Sequence, residues 1–164
     1  MLVTNKFSKK ITIAAILISS FASFVMPTAR AASWNGIEPF KSRRDEVITK
    51  LGKPLREEST GALHFKVAGG EVIISFVDEK FVNAKKLRPD LVGTVLEIVL
   101  QHEDSSNTMD TMKLVDNKSF IRDSKDNAVV FRNPKDGIAY TFVNGKLRTT
   151  RYTFSDGQLG RVHK

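Results

Sequence analysis

The only imidazoles in the chain are His64, His102 and His163, and none stands in a recognisable catalytic setting. A hydrolytic triad needs a nucleophile beside a positioned histidine, and the chain has no Gly-x-Ser-x-Gly turn to present one. His64 alternates with Leu63 and Phe65, which reads as a solvent-facing or edge position of a strand. His163 belongs to a tail expected to fray. His102-Glu103-Asp104 is the compact metal-like cluster, but no second histidine follows at the spacing that puts two imidazoles on one helical face. From Asp104 onward a calcium loop would need a glycine at its sharp turn and a glutamate at its twelfth position, and both are missing. A solvated loop is the expectation there.

Carboxylates come as the neighbours Asp45/Glu46, Glu57/Glu58, Asp78/Glu79 and Glu103/Asp104. Adjacent residues on a helix or strand point apart, so such pairs do not share a proton. Glu97 differs because it interrupts the most apolar run, Val95 to Leu100. Buried, it would need a partner or a raised pKa; facing out, it needs only a basic neighbour. Basic residues gather at Lys80, Lys85, Lys86 and Arg88 and again along Lys146, Arg148 and Arg151. Strand periodicity places Arg148 with Tyr152 on one face, and arginine and tyrosine together suit a partner surface. The candidate partner-binding residues are therefore Arg148, Tyr152, Tyr140, Lys85, Lys86 and Arg88. No phosphate-cradling Gly-rich loop precedes a helix, so no cofactor and no metal site is expected.

Residues 1–31 read as a secretory signal. Lys6, Lys9 and Lys10 precede an apolar run from Ile11 to Met26, and Pro27 leads into Ala29-Arg30-Ala31, with cleavage expected after Ala31. The run is shorter than the roughly 18 residues of a spanning helix, and no later stretch is apolar enough to span. Of 26 Lys and Arg against 18 Asp and Glu, the signal holds four cations and no acid, leaving 22 against 18. That mild positive balance is not a nucleic-acid footprint. The chain has no cysteine, so an exported domain of residues 32–164 must be held by its core alone.

The elements follow from pattern. Ser42-Arg43-Arg44-Asp45 reads as a helix cap, Val47, Ile48 and Leu51 as one apolar face, and Gly52 with Pro54 as the stop. Leu63, Phe65 and Val67 alternate as a strand, Ala68-Gly69-Gly70 turns, and Val72, Ile74 and Phe76 answer. Residues 78–92 read as a basic surface loop, and Gly93 to Leu100 as a central third strand. Helical turns are expected through Met109, Met112, Leu114 and Phe120. Strands then run over 127–132, 137–143 and 146–154, the last two joined by the hairpin signal Asn144-Gly145. Phe65 to Asp78 also aligns without a gap on Phe131 to Asn144, matching Phe65 to Phe131 and Phe76 to Phe142. The pattern predicts an α+β fold: two tandem helix-plus-three-strand repeats, about 37–101 and 108–156, forming one six-stranded antiparallel sheet with helices on one face.

A helix, then Leu51-Gly52-Lys53-Pro54, then three antiparallel strands resembles the repeat of the beta-lactamase inhibitory protein and of SmpA/OmlA-type outer-membrane lipoproteins. Trp34 to Pro39, Lys41 to Val47 and Gly93-Thr94-Val95 are similar to a set of secreted bacterial proteins. The resemblance implies shape rather than activity. The lipoproteins carry a lipidated N-terminal cysteine, which is absent here, and no position matches a lactamase-inhibiting contact. The expectation is a secreted or periplasmic, non-enzymatic binding module, with the helix-free sheet face meeting another envelope or secreted protein and no nucleic acid. Two alternatives are an envelope-polymer hydrolase, in which Glu97 or His64 meets a second titratable group in a pocket, and a structural envelope component held electrostatically.

Overall fold

Alternation of apolar and polar residues decides most of the sheet, and its register can be followed across the whole molecule. The structure, a computed structural model, describes residues 31–163; the expected signal segment, residues 1–31, lies outside them apart from Ala31. Helix α1 (Arg44–Leu51) is followed by β1 (Arg56–Glu57), β2 (Leu63–Val67), β3 (Gly70–Phe76), α2 (Glu79–Lys85), a 3-10 turn (Pro89–Leu91) and β4 (Val95–His102). Then come β5 (Ile121–Lys125), β6 (Ala128–Asn133), β7 (Ile138–Val143), β8 (Lys146–Thr153) and α3 (Asp156–Val162). All eight strands form one antiparallel sheet in the order β1-β2-β3-β4-β8-β7-β6-β5. The chain thus builds two meanders, β2-β3-β4 and β6-β7-β8, and joins them through β4 and β8. The expected α+β class with an antiparallel sheet is present, with eight strands instead of six.

One face of the sheet is covered. Under α1, Leu63, Phe65, Val72, Ile74 and Ile98 form a buried cluster with Val47 and Ile37. Farther along the same face, Phe131, Phe142 and Leu147 are buried beneath Leu114, with Met109, Met112 and Phe120 against them. A third cluster sits where β3 and β8 end and β4 begins: Phe40 stacks on Phe154 at 4.5 Å between centroids, with Val82 of α2, Leu87 and Leu91 buried around them. Burial of this kind, at roughly 25 cal/mol per Å² of apolar surface, is the main stabilising contribution available to a cysteine-free chain.

Several local expectations are corrected. Ser42 does not cap α1; the N-cap is Arg43, without a side-chain cap bond, while the Ser42 hydroxyl accepts from the Glu38 amide at 3.2 Å. Residues 78–92 are not a plain loop, because Asp78 caps α2 by accepting from the Phe81 amide at 2.7 Å and Val82 and Leu91 turn inward. The segment 109–120 covers the sheet as expected but holds only turns. Its polar side chains bond locally: the Thr108 and Thr111 hydroxyls serve each other's amides, and Asn117 accepts from the Ser119 amide. Such bonds compete with helical ones. Consequently no helix precedes the second meander. The C-terminal stretch does not fray but forms α3, fixed by a capping box in which Ser155 and Gln158 serve each other's amides.

The two matched hairpins keep their faces but not their pairing. Phe65 stands opposite Val72 across a two-residue turn, whereas Phe131 stands opposite Tyr140 across a four-residue one. A shift by two preserves the inward side, so both phenylalanines are buried.

Close approach of strands fixes one residue type. A Cβ on Gly70 would stand 1.8 Å from the Gln101 carbonyl oxygen, and Gly70 has φ +158°, whereas neighbouring Gly69 has open space around it. Gly70→Ala is expected to destabilise the protein by about 2–4 kcal/mol and Gly69→Ala by about 1. Urea unfolding of the two variants checks this difference.

Candidate functional site

Strand pairing sets the residues of the face opposite α1 in rows. One row crosses all eight strands: Arg56, His64, Ile73, Val99, Arg151, Ala139, Arg132 and Ile121 are successive Cα partners. A second runs Lys66, Glu71, Gln101, Thr149, Thr141, Val130 and Asp123. Ile73, Val99, Ala139 and Val130 belong to none of the three core clusters. They are apolar residues of intermediate burial.

A depression of about 500 Å³ lies on this face over β6, β7 and β8. Its floor is small or β-branched, with Ala139, Thr141 and Val130, and Arg132 and Arg151 rise on either side. Gly137 at its end admits no side chain, since a Cβ would meet the Thr153 carbonyl oxygen at 2.3 Å. Each arginine is held by a carboxylate on its outer side. Arg151 Nε is 3.0 Å from Glu97 Oε1, and Arg132 Nε donates to Asp123 Oδ2 at 2.9 Å, with Nη2 on the same oxygen. Glu97 is therefore an outward strand position with a basic partner, as one branch of the sequence reading allows.

The rest of the face is charge-balanced in the same way. Arg56 pairs with Glu71 at 3.2 Å, and Lys66 with Glu103 at 2.5 Å. Exposed pairs of this type stabilise by about 0–1 kcal/mol at most. Their larger effect is to leave the surface without a strong net potential.

His64 is placed otherwise than expected. It is 1 % exposed, and both ring nitrogens meet carboxylates: Nε2 lies 2.6 Å from Glu58 Oε1, and Nδ1 is hydrogen-bonded to Glu71 Oε1. Arg56 Nη2 stands 2.8 Å from Nδ1. The turn after β1 folds its side chains over this end of the sheet, which buries a residue that strand parity alone sends to solvent. The cluster closes on itself, and no group among the described residues is arranged to hold a metal ion. His64 sits three strands from Arg151 in the row and lies outside the depression, so His64 and Glu97 do not share a site.

The residues named in advance as partner contacts are scattered. Tyr140 and Tyr152 are half-buried on the covered face, against the second and first clusters. Burial pushes both phenols above their ordinary range, Tyr140 further through Tyr152 nearby. Arg148 falls at the register shift of β7 and β8, where Thr141 pairs with Thr149 but Phe142 with Leu147, and it donates to the Glu103 carbonyl at 3.2 Å. That shift overturns simple parity along β8. Lys85 and Lys86 end α2, and Arg88 pairs with Asp90 at 2.8 Å, all at the end of the sheet and off the free face. Of the other histidines, His102 shares a hydrogen bond with the Thr150 hydroxyl at 2.9 Å, and burial holds it below its ordinary value. His163 bridges to Leu87. Arg132 and Ala139 were not singled out from sequence; the usable signal was their period-two alternation with buried Phe131 and half-buried Ile138 and Tyr140.

No protein-family model matches the chain, and no curated protein does. Among solved structures it is similar to an extracellular protein containing an SCP domain from Bacillus anthracis str. Ames, with a TM-score of 0.38 and 11 % identity. The match covers 96 % of this chain and 52 % of that one, so the chain spans about half that protein's length. A likeness so loose assigns neither fold nor activity. Among the described residues no helix is long and apolar enough to cross a membrane.

The hydrogen bonds to His64 hold the Glu58 and Glu71 carboxyls below their ordinary range. Depressed carboxyl pKa values stabilise the fold above the unfolded-state value and lose that effect as pH falls through the folded one. Wild-type stability should therefore drop on acidification below about pH 4.5 more steeply than that of Glu71→Gln. Urea midpoints measured from pH 6 to pH 3 give the comparison; parallel curves would contradict the assignment.

Proposed function

We propose that the protein is a non-enzymatic binding module of the cell exterior or periplasm that recognises another protein through the helix-free face of its sheet. The observation that carries this reading is the row Ile73, Val99, Arg151, Ala139, Arg132, Ile121, which combines apolar residues outside the core with arginines above a small-residue floor. Interfaces draw on that mixture, with arginine enriched and apolar area at the centre. Export rests on the sequence features of residues 1–31. The two meanders are read as copies of a helix-plus-three-strand unit, the second having exchanged its leading helix for the turns of 109–120.

Charge balance weighs against electrostatic adhesion to an anionic wall or lipid, because the main cations of the free face already have carboxylate partners. A hydrolase reading keeps one supporting feature: Glu97 and Asp156 both line the depression. Asp156→Asn separates the two readings, since it would abolish polymer cleavage while a binding module retains its partner.

Photo-crosslinking residues at Thr149, on the free face, and Thr49, on the exposed side of α1, test the surface. Crosslinks to a partner are expected from Thr149 alone; crosslinks from Thr49 alone, or from neither, would refute it. Val99→Glu is expected to change stability by under about 1 kcal/mol, since Val99 lies outside the core clusters, and to weaken partner retention at least about tenfold.

A further inference from the structure

Arg132 and Arg151 flank Ala139 directly across the sheet, one on β6 and one on β8. Their backbones lie two strand spacings apart, roughly 10 Å. Ala139 leaves the space between them open, and the depression occupies it. The carboxylates that hold them stand on β5 and β4, so each anion draws its guanidinium outward from β7. Glu97 Oε1 lies 3.0 Å from Nε of Arg151. Two oriented guanidinium planes therefore border one gap.

Resting on the proposed use of this face, we infer that the gap between Arg132 and Arg151 is a recognition site for carboxylate side chains of an acidic segment of the partner protein. Guanidinium matches carboxylate by paired parallel hydrogen bonds, a geometry lysine cannot reproduce. Exchange is cheap, because an exposed Arg–carboxylate pair is worth only about 0–1 kcal/mol and its anion can shift to admit another. A peptide also has apolar atoms to set on Val130, Ala139 and the methyl of Thr141, with Val99 and Ile73 continuing the row beyond Arg151. A phosphate polymer has few such atoms and depends on net positive potential, which the paired charges of this face do not supply.

The experiment is a titration of the purified protein with a capped peptide alternating glutamate and valine, its glutamine counterpart, and inorganic polyphosphate. The Nε–H resonances of Arg132 and Arg151 are followed by nitrogen-15 NMR. The glutamate peptide should shift both resonances and the glutamine peptide neither. Arg132→Lys and Arg151→Lys should each weaken the glutamate peptide about tenfold, although charge is kept. Lysine variants that bind like wild type, or polyphosphate that shifts both resonances as strongly as the peptide, would overturn the carboxylate assignment. So would the absence of any shift. Thr149 crosslinking keeps this failure apart from failure of the face itself: a partner still captured at Thr149 in both lysine variants, at unchanged yield, would retain the binding face and remove only the carboxylate site.

Discussion

The pairing of β4 with β8 is the contact on which the molecule depends. It runs from Glu97 opposite Thr153 to Gln101 opposite Thr149, and it pairs residues 48 to 56 apart in the chain. Without it the two meanders would be separate hairpin stacks, each too small to bury much on its own. With it, the apolar cluster under α1 and the one under residues 109–120 share a single rigid floor, and the rows of the opposite face become continuous. Both sides of the sheet are thus organised by one ladder. The open row can therefore be modified at Val99 or Arg151 without emptying a core.

Much of this was legible because period-two alternation is a local signal. Leu63-His64-Phe65, Val72-Ile73-Ile74 and Phe131-Arg132 declare their inward members whatever their partners are. The places where the reading fails share a cause, which is that non-local contact or local hydrogen bonding outweighs periodicity. His64 obeys strand parity and is still buried, because Glu58, Glu71 and Arg56 close over it from other segments. Residues 109–120 have helical spacing of apolar side chains but are rich in Asp, Asn, Ser and Thr, which bond to nearby amides instead. Ile-Arg-Asp-Ser-Lys, the sequence of β5, has one apolar residue in five and becomes a strand only because β6 offers an edge. Ser155-Asp156-Gly157-Gln158, in contrast, did carry a capping box that a reader looking for helix starts at a chain end would have found.

The candidate site was harder to see. The basic residues that stand out by density, Lys80 to Arg88, mark a helix end and its following turn rather than a shared surface. Tyr140 and Tyr152, prominent by type, are drawn to the covered side by the same alternation that sends Ala139 and Arg151 out. A register shift beside Arg148 then breaks the parity that had grouped it with Tyr152. What distinguishes Arg132 and Arg151 is position across β7, a relation between residues nineteen apart that appears only once register is known.

The sheet is open at both ends, which raises the matter of what keeps copies from adding to one another. At one end β1 has two residues, too short a template for a foreign strand. At the other, β5 is fully exposed and its outer backbone groups face solvent. Self-pairing there, centred on its middle residue in an antiparallel register, would set Asp123 against Asp123 and so bring like charges together. The polar composition that made β5 hard to recognise thus opposes growth of the bare sheet margin into a ribbon.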